Sequence, residues 1–179
     1  KPNLLLVFHS VTEEYEHMSE YMDKVMSAIA ELKFPTVVIT NNSDAGSAVI
    51  RRKIYEHKQP FIHIVDNVTR ADYAGLMNTV DVIVGNSSSG ILEAPTFKLA
   101  AVNIGNRQAG RMRGINVINA GYGKKDIKSA IKRALSPAFK SKLKQCVNPY
   151  GDGHSAKRIV DILEKVKINK NLLVKKLTY

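Results

Sequence analysis

One polar stretch of this sequence is best suited to chemistry: VDVIVGNSSSGILEAP, residues 80–95. Ser87, Ser88 and Ser89 supply three hydroxyl groups, and Gly90 lets a ligand approach the backbone closely. Where such a loop opens a helix, the first amides have no acceptor within the helix, and the helix dipole favours an anion there. These residues predict a phosphate site. Simple capping of the helix by serine is the alternative.

Glu93 follows this loop, on what we expect to be the first turn of the helix. Because a carboxylate repels phosphate, this side chain needs another partner. The two hydroxyls of a ribose attached to that phosphate would suit it, which is the role of an acidic residue in dinucleotide-binding folds. The alternative is a glutamate that the helix dipole merely favours.

Basic residues and one histidine extend the candidate site. The stretch GNRQAGRMR carries Arg107, Arg111 and Arg113, whose guanidinium groups match phosphate oxygens, although a solvated basic loop is the alternative. His9 ends an apolar stretch and could donate to a diphosphate or handle a proton, which makes it the candidate catalytic residue. For His9 alone, a purely structural role is the alternative.

Alternating strand and helix patterns must position these residues. Six short apolar runs predict strands at residues 4–8, 36–40, 61–65, 80–84, 101–105 and 116–119, and amphipathic segments between them predict helices. Ser10 and Glu13 are expected to form a capping box at the first helix. This alternation predicts an α/β fold, a Rossmann-like doubly wound parallel sheet, in which ligands bind beyond the carboxyl ends of the strands.

The composition limits the class of protein. The chain has 179 residues, of which 44% are hydrophobic and 24% charged, as in an ordinary globular domain. We expect no membrane contact, because no apolar run approaches the roughly 18 residues of a membrane span. The single cysteine, Cys146, excludes an internal disulfide and favours a reducing, cytoplasmic location.

No cofactor is expected. The five histidines lack the spacing of metal ligands, and no G-x-G-x-x-G follows the first strand, which disfavours a nicotinamide cofactor. The net charge of +11 leaves open a binding module for an anionic polymer. The basic residues are not interleaved with aromatic ones, however, so we expect no nucleic-acid partner.

Several long motifs resemble the UDP-N-acetylglucosamine 2-epimerase family, in particular its hydrolysing branch. GNSSSGILEAPTFKLAAVNIGNRQAGRMRG carries most of the resemblance, and FHSVTEE, NNSDAGS and NPYGDGHSAKRIVDIL occur in the family's order. The resemblance extends over essentially the whole chain but corresponds to the C-terminal half of a family member. It implies one half of a glycosyltransferase-B type two-domain fold, with a UDP-sugar as the ligand.

The resemblance also implies contacts to the nucleotide. Ser87 and Ser88 would hold the diphosphate, Glu93 would hold the ribose hydroxyls, and Arg107 would contact the phosphate side. His9 and Asn42 would line the cleft between the two halves. The backbone near Val68 would meet the uracil.

The implied reaction is loss of UDP from UDP-N-acetylglucosamine, followed by addition of water to give N-acetylmannosamine. The acidic residues that act on the sugar belong to the family's N-terminal half, so we expect this chain alone to be inactive. Epimerisation without hydrolysis and sugar transfer by a related glycosyltransferase are alternatives.

The resemblance also suggests how the chain is organised. We expect residues 1–167 to form the UDP-binding domain and residues 168–179 to form a tail that either crosses to an N-terminal domain or frays. The chain begins as if within a longer protein, which we expect to be a homo-oligomer.

Overall fold

Six parallel strands form one sheet in the computed structural model, which describes residues 1–40 and 44–174. The strands are β1 (Leu4–Val7), β2 (Thr36–Ile39), β3 (Ile62–Val65), β4 (Val82–Gly85), β5 (Ala100–Ile104) and β6 (Val117–Ala120). Their order across the sheet is β3-β2-β1-β4-β5-β6, and every neighbouring pair is parallel. The predicted α/β class is confirmed, and each predicted strand is present within one or two residues.

Helices connect the strands and follow the last of them. They are α1 (Met18–Leu32), α2 (Ser47–Glu56), α3 (Arg70–Thr79), α4 (Ser89–Leu92), α5 (Lys124–Ala134), α6 (Pro137–Leu143), α7 (Ser155–Lys165) and α8 (Lys170–Leu173). Two 3-10 segments, Thr12–His17 and Ala94–Phe97, precede α1 and follow α4. The chain divides into two compact units, Lys1–Pro149 with the sheet and Tyr150–Tyr179 with α7 and α8.

The central strands β1 and β4 are apolar along their whole length because both faces of the sheet are buried there. Leu4, Leu6 and Phe8 point to one face, where they pack against α1, α2, α5 and α6. Leu5 and Val7 point to the other face, where they pack against α3 and the 3-10 segment Ala94–Phe97. The sheet is therefore covered by helices on both sides, as a doubly wound fold requires.

The start of α1 contradicts the predicted capping box. The chain first makes the 3-10 segment Thr12–His17, in which Val11 occupies the N-cap position without a side-chain hydrogen bond. The amide of Glu14 donates to the carbonyl of Val11 instead. Ser10 is buried at the end of β1, and Glu13 is exposed, so the two side chains do not cap the helix.

β1 and β4 lie side by side at the centre of the sheet, where the order of connection reverses. Val7 pairs with Gly85, and Gly85 has a φ of +131°. A Cβ atom at Gly85 would lie 2.0 Å from the carbonyl oxygen of Val7. Only glycine fits this position without moving the backbone of β1, so the two strands can end close together.

Among the described residues, no helix combines the length and the apolar character needed to cross a membrane.

We predict that Gly85→Ala destabilises the fold by about 3 kcal/mol or more, because it combines a steric overlap with an unfavourable backbone conformation. Urea denaturation followed by circular dichroism measures this loss. Gly75→Ala on α3 is the matched control, since its Cβ would meet nothing within 4 Å. That variant should be up to about 1 kcal/mol more stable than the wild type. Equal effects of the two substitutions would show that the close approach of β1 and β4 is unimportant.

Candidate functional site

The side chain of Asn86 joins the ends of β1 and β4. It is fully buried, at 0% exposure. Its Oδ1 accepts a hydrogen bond of 2.7 Å from the amide of His9, and its Nδ2 donates one of 2.8 Å to the carbonyl of His9. The Asn86 amide donates to the carbonyl of Val7. These bonds fix the backbone of His9 beside the loop that follows β4.

The loop after β5 is attached to the same residue. We call residues 105–113 the arginine loop. Arg107 Nη1 donates to the carbonyl of Asn86 at 3.1 Å, and the buried Gln108 Nε2 donates to the same oxygen at 2.8 Å. Arg113 Nη2 in turn donates to the carbonyl of Gln108 at 2.9 Å. The structure therefore brings His9 and Arg107 together around one asparagine.

The serine turn, residues 87–89, lies next to Asn86 and leads into the single turn of α4. Ser87 Oγ accepts from the Ser89 amide at 3.3 Å and lies 3.2 Å from Ser89 Oγ. Ser88 occupies the N-cap position of α4 but makes no capping bond with its side chain. Serine capping thus does not account for all three hydroxyls. Gly90 is buried, and its amide donates to the carbonyl of Ser87.

Glu93 is not on the first turn of a helix, contrary to the prediction. α4 ends at Leu92, and Glu93 stands between it and the 3-10 segment Ala94–Phe97. Pro95 explains the early end, because proline restricts the residue before it and has no amide to continue the helix. The dipole of α4 cannot favour a carboxylate at its C-terminal end. The exposed Glu93 side chain instead borders a cavity of about 200 Å³ that Arg70 and Tyr73 also line.

The side chain of Tyr73, from α3, lies next to the serine turn. Its buried hydroxyl oxygen lies beside the hydroxyls of Ser87 and Ser89. Burial raises the pKa of this hydroxyl, and the nearby Ser89 and Ser87 hydroxyls offset that rise only in part. The tyrosine thus places a polar atom close to the turn that is predicted to hold phosphate.

A hydrogen bond between Glu14 and Tyr122 lies at the start of the arginine loop. The Tyr122 hydroxyl donates to Glu14, and Asn106 at the start of the arginine loop donates to the other carboxylate oxygen at 3.5 Å. The ring of Tyr122 stacks on Tyr21, with centroids 3.6 Å apart. Burial and the Glu14 carboxylate raise the pKa of Tyr122 far above its ordinary value. Glu14 is therefore engaged in holding the arginine loop.

The remaining predicted residues are less closely connected to this cluster. Val68 lies after β3, and its amide is already engaged by Asn67 Oδ1 at 2.9 Å. Arg111 is exposed, and its amide donates to the carbonyl of Gln108. Asn42 lies outside the described residues. Within residues 1–40 and 44–174, no group of three or more His, Cys, Asp or Glu side chains could hold a metal ion.

Sequence patterns did not single out Asn86, Gln108, Tyr73 or Tyr122. Asn86 carried the only available signal, since it directly follows a buried strand and precedes the serines. The partners of these residues lie far away along the chain; His9 and Asn86, for example, are separated by 77 positions. Local periodicity contains no information on such pairs.

Comparison with known proteins finds one family over most of the chain. The family model for UDP-N-acetylglucosamine 2-epimerase matches residues 1–164. The chain is 33% identical over 172 residues to the UDP-N,N'-diacetylbacillosamine 2-epimerase (hydrolyzing) of Legionella pneumophila. The aligned region covers 96% of this chain and 45% of that relative. It is 32% identical over 174 residues to the polysialic acid biosynthesis protein P7 of Escherichia coli, covering 96% and 44%. The chain thus spans about half the length of these relatives.

A solved structure shows the same fold. The UDP-GlcNAc 2-epimerase of Neisseria meningitidis bound to UDP-GlcNAc superposes with a TM-score of 0.73 at 17% identity, covering 92% of this chain and 45% of that one. The sheet therefore corresponds to one half of a glycosyltransferase-B type fold, as predicted.

We predict that Asn86→Ala lowers the free energy of unfolding by about 2–4 kcal/mol, because it leaves the His9 backbone without its buried partners. Chemical denaturation of the purified chain measures the loss. Asn78→Ala, at an exposed position of α3, should change stability by less than about 0.5 kcal/mol. A loss at Asn86 no greater than that at Asn78 would mean that the asparagine does not join the two strand ends.

Proposed function

The chain belongs to the UDP-N-acetylglucosamine 2-epimerase family, and we propose that it is the nucleotide-binding half of a hydrolysing member. Its substrate would be UDP-N-acetylglucosamine, and its products N-acetylmannosamine and UDP. The observation that carries this proposal is the convergence of the serine turn, Arg107 and His9 on Asn86 at the reversal point of the sheet. Similarity to a relative named as hydrolysing supports the branch.

We assign the diphosphate to the serine turn. The hydroxyls of Ser87, Ser88 and Ser89 would donate to an anion there, beside Gly90, and Arg107 would add a charge held in place by the carbonyl of Asn86. Arg111 and Arg113 are exposed on the same loop and raise the local positive potential.

We assign the nucleoside to the region between α3 and the 3-10 segment Ala94–Phe97. Glu93 is exposed beside a cavity there, so its carboxylate can accept hydrogen bonds from both ribose hydroxyls. The uracil would then lie towards the end of β3, near the backbone of Val68. Asn42 remains a proposed cleft residue.

The proposed chemistry has two steps. In the first, a base removes the proton at C2 of the sugar and the C1–O bond breaks, so the electron pair leaves with UDP and 2-acetamidoglucal forms. In the second, water adds across the double bond, with hydroxyl at C1 and a proton at C2 on the opposite face. Negative charge grows on the departing diphosphate, and donors fixed in advance stabilise it. His9, held by Asn86, would donate to that diphosphate or transfer a proton.

A second candidate substrate is UDP-N,N'-diacetylbacillosamine, which the name of the Legionella relative favours. Both candidates carry a UDP group and an acetamido group at C2. The nucleotide-binding half would therefore act in the same way on either. Homo-oligomeric assembly of the longer protein and its cytoplasmic location also remain proposals.

We predict that the chain binds UDP, and that Ser87→Ala and Glu93→Ala each weaken binding about tenfold or more, because each removes hydrogen bonds to a charged or buried group. Isothermal titration calorimetry measures the affinities. Ser129→Ala on α5 and Glu164→Ala on α7, both exposed, are the matched controls and should bind like the wild type. Failure of the wild type to bind UDP would overturn the proposed function.

We further predict that the chain alone does not turn over UDP-N-acetylglucosamine, whereas the longer protein releases free N-acetylmannosamine and UDP. Proton NMR of the products distinguishes the outcomes. In the longer protein, His9→Ala should lower kcat by about a hundredfold, as expected for loss of one donor to a developing charge. Formation of UDP-N-acetylmannosamine would indicate the non-hydrolysing branch, and a requirement for an acceptor would indicate a transferase. Turnover by the chain alone would contradict the proposal that the acidic residues acting on the sugar belong to the N-terminal half.

A further inference from the structure

A separate cavity of about 290 Å³ lies at the opposite edge of the sheet, where β4 and β5 begin. Asp81 and Leu99 line it and directly precede these two strands. Its volume is near the lower end of the range for small-molecule sites, which is about 300 Å³. The cavity beside Glu93, to which we assign the nucleoside, shares Met77 and Phe97 with it, but Asp81, Leu99 and three lysines line this cavity and not that one.

Core side chains form the apolar part of the cavity wall. Met77 of α3 and Leu99 are buried parts of the cluster on one face of the sheet. Leu143 of α6 is a buried part of the cluster on the other face. Because both faces contribute, the cavity wraps around the edge of the sheet. Core side chains cannot move far, so the cavity is largely preformed.

The rim of the cavity is strongly basic. Three lysines and one aspartate line it: Lys98, Lys140, Lys144 and Asp81. Lys140 pairs with Asp81 at 2.7 Å, and Asp81 also accepts from the amide of Asn3 at 2.9 Å. Burial opposes ionisation of Asp81, but these hydrogen bonds outweigh it and lower the pKa of the carboxyl group. Asp81 therefore neutralises one lysine and no more.

Two positive charges at the rim are left without an opposite charge. Lys98 and Lys144 form no ion pair within the described residues. Both are exposed, and Lys98 has a left-handed backbone with a φ of +51° that ends the 3-10 segment Ala94–Phe97. An apolar cavity with two uncompensated ammonium groups at its mouth complements a ligand that is apolar at one end and anionic at the other.

We propose that this cavity binds a small organic anion, with its apolar body between Met77 and Leu143 and its anionic group between Lys98 and Lys144. The lysines of this site contribute to the net charge of +11 and have no role in the proposed nucleotide site. The lysines gather around one cavity instead of forming a continuous stripe, which favours a small ligand over an anionic polymer.

Phenyl phosphate is a suitable probe, since it combines one aromatic ring with one anionic group. The chain contains no tryptophan, so a single introduced tryptophan reports from one place. Asn78→Trp puts the reporter at an exposed position that lines the cavity, and Tyr55→Trp puts the control on α2. We expect phenyl phosphate to change the fluorescence of the first variant in a saturable way and to leave the second unchanged. Inorganic phosphate has only the anionic group and benzyl alcohol only the aromatic ring, so each should bind at least about tenfold more weakly than phenyl phosphate.

Charge variants test the assignment to the lysines. In the Asn78→Trp background, Lys98→Gln with Lys144→Gln should raise the apparent Kd for phenyl phosphate by roughly tenfold or more, whereas Lys132→Gln on the exposed side of α5 should not. The titration is repeated with UDP at saturation, and the response should persist. Loss of the response with UDP, equal responses at the two reporters, or equal binding of inorganic phosphate would overturn the proposal. The titrations without UDP do not depend on the proposed function, so their failure is distinguishable from a failure of the chain to bind UDP.

A second measurement covers the case in which the reporter variant does not fold. Thermal unfolding of the wild-type chain should shift upward with phenyl phosphate and much less with inorganic phosphate, because a ligand that binds only the folded state stabilises it. The shift should disappear when Lys98 and Lys144 are both replaced by glutamine. An unchanged shift in that variant would contradict the proposed site.

Discussion

The pair of hydrogen bonds between the Asn86 side chain and the His9 backbone is the contact on which the site depends. Beyond the end of a parallel ladder, backbone groups lose their regular partners, and a buried group left unpaired costs about 1–3 kcal/mol. The carboxamide of Asn86 offers one acceptor and one donor. It therefore pairs with the amide and the carbonyl of His9, as a neighbouring strand would do. Gly85 makes this possible, because a larger residue would push the carbonyl of Val7 away.

The same asparagine also sets the position of the positive charge. Arg107 and Gln108 both donate to its carbonyl, so the arginine loop cannot shift without disturbing the end of β4. Tyr122 and Glu14 hold the start of that loop from the other side. If the chain binds a diphosphate as proposed, donors fixed in this way would need little rearrangement as charge develops on it, which is the condition for effective electrostatic stabilisation.

The fold could be predicted from the sequence more fully than the site could. Continuous apolar runs identify strands buried on both faces, and each predicted strand is present. The serine turn, His9 and Arg107 could be predicted to lie close together because each follows a strand at the same edge, and the structure brings them together around Asn86. The capping box at Ser10 and the helical position of Glu93 were wrong, because a 3-10 segment and Pro95 changed the local backbone. Asn86 was missed as a site residue, since its role depends on a partner 77 residues away.

Two buried polar atoms at the carboxyl edge of the sheet are unusual for a protein interior. Among the described residues, Ser10 Oγ and Gln108 Oε1 have no hydrogen-bond partner. Both lie next to groups of the candidate site, because Ser10 follows His9 and Gln108 contacts Asn86. A fold selected for stability alone would replace such atoms with apolar ones, because each unpaired atom costs free energy. A polar ligand bound at this edge would give both atoms partners, which is a reason for a fold to keep them.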